Sequence, residues 1–66
     1  MDRKYIADTL RRLRGNRTQD EVAAAIGISK SALSMYEKGE RIPRDEIKKK
    51  LADYYGRSVQ FIFFKQ

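Results

Sequence analysis

Two helix-start signals stand close together in this chain, and the glycine between them restricts the fold more than any other feature. Thr18-Gln19-Asp20-Glu21 reads as a capping box, in which the Thr18 hydroxyl accepts from the Glu21 amide and the Glu21 side chain returns to Thr18. Ser29 is a second N-cap, opening a helix that reaches about Lys38. Gly27 stops the first helix, because a residue without Cβ enters a turn that other residues resist. The segment therefore predicts two short helices around one tight turn.

The flanking sequence is helical as well. Ile6, Leu10 and Leu13 fall at i, i+4 and i+7, a single helical stripe, with Arg3, Lys4, Asp8, Arg11 and Arg12 on the remaining surface. A fourth helix, about 44–55, follows Pro43, with Asp45 and Glu46 near its positive end and Ile47, Leu51 and Tyr55 inward. Ser58 caps a short last helix, about 58–64, that turns Val59, Ile62 and Phe63 inward. Gly15-Asn16, Gly39 to Pro43 and Gly56 punctuate these elements, and no β-type alternation or internal repeat interrupts them. The expectation is one compact all-α domain of five helices over residues 1–66.

Composition narrows the function. With 66 residues the chain is near the lower limit for a core that folds unaided, and it leaves little room for a closed substrate pocket. Cysteine and histidine are both absent, which removes disulfides, Cys/His zinc sites, thiolate nucleophiles and imidazole acid-base chemistry. No enzyme, cofactor or metal is expected. Fifteen Lys plus Arg against nine Asp plus Glu give a net charge of +6, which favours a polyanionic partner. No apolar run approaches a membrane span, and the first residues lack the apolar stretch of a signal peptide, so the expected location is the cytoplasm.

Within Gln19 to Lys38 the order of Val22, Ala23, Ile26, Gly27, Ile28, Leu33 and Tyr36 is that of a helix-turn-helix. Val22, Ile26, Ile28, Leu33 and Tyr36 supply the apolar contacts between the two helices, and Ala23 is small where they approach closely. Together with Leu10-Arg11-Arg12-Leu13-Arg14, Thr18 to Ala23, Gly27 to Gly39 and Ile42-Pro43, this pattern resembles the XRE or lambda-repressor-like helix-turn-helix regulators of bacteria and phages. The resemblance covers nearly the whole chain. It implies a lambda-repressor-like DNA-binding fold whose helices 2 and 3, about 18–38, form the motif. It also implies that helix 3 enters the major groove and that the protein represses transcription as a homodimer on a palindromic operator.

Helical geometry supports the groove-facing assignment independently. At 100° per residue Ala32, Leu33 and Tyr36 share one face of helix 3, while Lys30, Ser31, Ser34, Met35 and Lys38 occupy the other. Lys30 can donate to guanine, Ser31 and Ser34 can bond to several bases, and Met35 can touch a thymine methyl, so these four are the base-contact candidates. An ordinary solvated face is the plainer alternative for such residues. Gln19, at the amide end of helix 2, joins Lys38, Arg41 and Arg44 as a phosphate candidate, with Arg17 and Lys4 behind them. The resemblance further implies a partly buried salt bridge between Arg14 and Glu37. Lys48 and Lys49 are assigned to a solvated face opposite Ile47 and Leu51.

The pattern departs from the family in three places. The Gly15-Asn16-Arg17 loop is short and lacks an apolar residue before the Thr18 cap, so packing there must differ. Arg44 stands where Ser or Thr would often cap helix 4, and Arg57 stands where an apolar residue is frequent, its stem expected to pack and its head to stay wet. Phe61 and Phe64 fall outside the inward stripe of the last helix and are dimer-interface candidates, the alternative being that the tail folds back and buries one ring. A competing function is a protein-interaction module, antitoxin or antirepressor-like, that engages a protein partner through Tyr54, Phe61 and Phe64. A membrane-surface role ranks last, because the basic residues do not gather opposite one long apolar helical face.

Overall fold

The computed structural model describes residues 1–65 and contains five helices: α1 (Arg3–Arg14), α2 (Gln19–Ile26), α3 (Lys30–Glu37), α4 (Asp45–Tyr55) and α5 (Val59–Phe63). No strand occurs among the described residues. The helix starts follow from side-chain chemistry. Asp2, Thr18, Ser29 and Ser58 each accept a hydrogen bond of 3.0 Å from the amide three residues on, satisfying one of the free donors at their helix ends. Among the described residues only the first half of the Thr18–Glu21 box is formed. As expected, α4 starts at Arg44 with no side-chain cap, and Asp45 and Glu46 supply the favourable charge in its first turn.

The turn between α2 and α3 depends on Gly27, which lies at φ 77° and ψ 33°. Its amide and that of Ile28 both donate to the Ala23 carbonyl, at 2.9 and 3.0 Å. A Cβ at Gly27 would meet nothing within 4 Å, so the requirement is the left-handed dihedral itself. Gly39, after α3, carries both constraints: φ is +74°, and an added Cβ would lie 3.3 Å from the Arg3 carbonyl oxygen.

α1 packs on α3 and α5, α2 on α3 and α4, and α4 on α5, around a core of Ile6, Leu10, Val22, Ala23, Ile26, Leu33, Tyr36, Leu51, Ala52, Ile62 and Phe63. Leu13, Ile28, Ile47, Tyr55 and Val59 border this core, partly buried. Tyr5 on α1 donates its hydroxyl to the Phe61 carbonyl at 2.5 Å, tying α5 back to the first helix.

Lys48 departs from expectation. It is only 9% exposed, with Nζ 5.9 Å from the Phe63 ring centroid and 3.4 Å from Asp45 Oδ1. Lys48 stands three and four residues before Leu51 and Ala52, on the stripe that α5 covers, so its stem is buried and its charge meets a ring face and a carboxylate. Lys49 is exposed.

The short first loop is packed in an unexpected way. Arg17, directly before the Thr18 cap, lays its guanidinium over Tyr54 and Tyr55, 5.3 and 5.6 Å from their centroids. The two rings meet edge to face at 5.2 Å. A cation over aromatic faces thus fills the place left by the missing apolar residue.

Candidate nucleic-acid interface

On the outer side of the α2–α3 hairpin lies an open depression lined by Gln19, Lys30, Ser31, Ser34, Met35 and Lys38. Gln19 comes from the start of α2 and the others from α3 and its C-cap. Lys30, Ser31 and Lys38 are exposed, while Gln19, Ser34 and Met35 are half-buried, so cations, hydroxyls, an amide and one thioether share the depression. Lys30 lies 3.9 Å from Asp20, an exposed pair that holds the lysine only loosely. Arg41 and Arg44 are exposed in the segment that connects α3 to α4.

The depression is backed by an ionic junction centred on Glu37, which is 2% exposed. Arg14 Nε donates to Glu37 Oε2 at 2.8 Å, and Gln19 Nε2 donates to Glu37 Oε1 at 2.8 Å. Arg11 donates to the Glu37 main-chain carbonyl, satisfying a free acceptor at the end of α3, and also meets Asp8. The Arg14 guanidinium additionally donates to the Arg17 carbonyl at 2.7 Å, holding the first loop. One carboxylate and its carbonyl therefore fasten α1 and α2 to the end of α3. The bond to Glu37 stabilises the charged form of Arg14 and raises its pKa against the opposing effect of burial.

Tyr55 faces the same junction from α4. Its hydroxyl is buried and has no hydrogen-bond partner among the described residues. Burial, reinforced by the Glu37 charge, pushes its pKa up to about 12.

The remaining candidates divide. Gln19, expected to face phosphate, turns one amide N–H inward to Glu37 while still lining the depression. Lys4 pairs with Asp8 at 3.1 Å, and Arg17 is taken up by the tyrosines. Arg11 was not singled out from the sequence as a link between helices, although its position on α1 one turn before Arg14 was the available signal. At the C-terminal end Phe61 and Phe64 are each 43% exposed, so neither ring is buried. Arg57 covers one face of Phe61, 5.0 Å from its centroid. Among the described residues no cluster of carboxylates suits a metal ion, and no helix is long and apolar enough to cross a membrane.

The sequence profile of the Helix-turn-helix family matches residues 10–62, from the C-terminal part of α1 into α5. The chain belongs to that family, in its XRE and lambda-repressor-like branch. Its function is that of a DNA-binding transcription regulator, a kind of protein that is typically not an enzyme. Comparison with curated proteins and with solved structures gives no match.

Proposed function

We propose that this regulator is a repressor that binds a palindromic operator as a homodimer and reads it with α3 in the major groove. The observation that carries the reading is the depression in which Lys30, Ser31, Ser34 and Met35 converge with Gln19 and Lys38. A shallow concavity with hydroxyls, a cation and one apolar group suits base edges, where lysine recognises guanine and a thioether suits the thymine methyl. Lys38, Arg41 and Arg44 follow at the end of α3, where cations fix the register of the duplex through phosphate. The half-exposed Phe61 and Phe64 supply the apolar surface for pairing two copies, which would set two α3 helices about 34 Å apart, one turn of duplex.

Selection of bound sequences from a random duplex pool tests specificity, half-site symmetry and spacing together. The expected product is an inverted repeat whose bases change after Ser34→Ala or Met35→Ala, whereas Arg41→Ala weakens all sequences alike and lowers the salt slope by about one. Equal affinity for every duplex at physiological salt overturns the proposal.

A further inference from the structure

Glu37 decides which way the Gln19 amide faces. A carboxylate offers lone pairs and no proton, so the group 2.8 Å from Glu37 Oε1 has to be the amide nitrogen; the opposite orientation would set oxygen against oxygen. Glu37 itself has no freedom to swing, because Arg14 holds Oε2, Arg11 holds the main-chain carbonyl and the residue is 2% exposed. Nε2 carries two protons, of which Glu37 takes one. The other belongs to a side chain that lines the same depression as Lys30, Ser31, Ser34, Met35 and Lys38.

We infer that Glu37 is a positioning residue that presets the Gln19 amide so that its second Nε2 proton meets a phosphate oxygen when duplex fills the depression. The inference rests on the α3 reading above and adds the orienting role of Glu37 to it. A side chain locked before binding loses little freedom on contact, so the bond contributes affinity that a freely rotating glutamine would partly forfeit. Gln19 is neutral and displaces no counterion, so it fixes register and leaves the salt slope unchanged, which separates it from the arginines.

Proton–nitrogen NMR of the side-chain amides provides the test, with a duplex taken from the selected pool as the probe. In the free protein the two Gln19 Nε2 protons should be well separated, one of them downfield. Added duplex should then move the other proton. Glu37→Leu combined with Arg14→Met leaves the Gln19 amide no acceptor at that place and should remove the downfield shift, and Gln19→Ala, which keeps the Arg14–Glu37 pair, should lower affinity roughly ten-fold for all sequences at an unchanged salt slope. Two free-amide resonances in the unbound protein overturn the inference. So does a Gln19 amide that ignores duplex while the Lys30 to Met35 amides respond. If Lys30 to Met35 are also silent, the α3 reading fails and takes this inference with it.

Discussion

Replacing Arg14 with alanine opens the junction behind α3 and also releases the Arg17 carbonyl. The variant leaves the Glu37 carboxylate, 2% exposed, with the Gln19 amide on one oxygen and no cation on the other. Removing one member of a buried pair costs about 3–5 kcal/mol, because the remaining charge stays desolvated. The Arg14 side chain is 22% exposed, so water entering its place recovers part of that, and the expected loss is about 2–3 kcal/mol. In a domain of this size each kcal/mol moves the thermal midpoint by about 4–8 °C, so a melt followed by circular dichroism should fall roughly 10–20 °C. Arg14→Met combined with Glu37→Leu removes both charges and should recover most of the midpoint, since an apolar pair of similar volume is often no worse than the ion pair. The double variant nevertheless releases Gln19, and its affinity for the selected operator should stay reduced. An Arg14→Ala midpoint equal to that of the parent, or a double variant no more stable than the single one, refutes the reasoning.

Tyr55→Phe should stabilise the protein by about 1 kcal/mol at neutral pH, because it deletes a buried hydroxyl that has no partner. The same residue makes stability pH-dependent. The folded phenol titrates at about 12 and the unfolded one near 10, so the folded chain holds the proton more tightly in that window. The associated stability is present below about pH 10 and lost as pH rises towards 12, by up to about 2–3 kcal/mol. Denaturant titrations of parent and Tyr55→Phe should therefore diverge across that range in favour of the variant; parallel pH profiles refute this. Among the glycines, Gly27→Ala should cost about 1–2 kcal/mol from its dihedral alone. Gly39→Ala should cost more, because its new Cβ also presses on the Arg3 carbonyl at 3.3 Å. Chemical denaturation of the two variants orders them, and equal losses would show that the Arg3 contact yields without cost.

The fold was legible because local signals agree with one another. Thr18, Ser29 and Ser58 cap the helices they were expected to cap, Gly27 adopts the left-handed turn, and the apolar stripes meet in one core. What the sequence concealed were contacts that join distant segments through charged side chains. The burial of Lys48 depends on α5 lying across α4, and periodicity within α4, read from Ile47 and Leu51, does not register a lysine as part of the covered face. The Arg17 stack depends on two tyrosines far along the chain. Gln19 could be placed at the helix start from its position, but its bond to Glu37 arises only once α2 and α3 are folded together. A cation or amide can be solvated, paired or laid on a ring, and its neighbours in sequence seldom decide which.

This has a consequence for how the charge of +6 is understood. The number alone suggests a general polyanion binder, yet many of the cations are already occupied in the free protein. Lys4 and Arg11 meet Asp8, Arg14 meets Glu37, Lys30 is loosely paired with Asp20, Lys48 meets Asp45, Lys65 meets Asp2, and Arg17 and Arg57 lie over aromatic rings. Arg3, Arg12, Lys38, Arg41, Arg44, Lys49 and Lys50 have no ion-pair partner among the described residues, and of these Lys38, Arg41 and Arg44 follow the end of α3 while the others lie on α1 and α4. A cation already satisfied within the fold must give up that contact before it serves a phosphate, whereas an unpaired one only exchanges water and counterions. Internal pairing therefore leaves about half of the cations for phosphate, and the stretch from the C-cap of α3 to the start of α4 keeps three of them together, Lys38 on the rim of the depression and Arg41 and Arg44 close behind it in sequence.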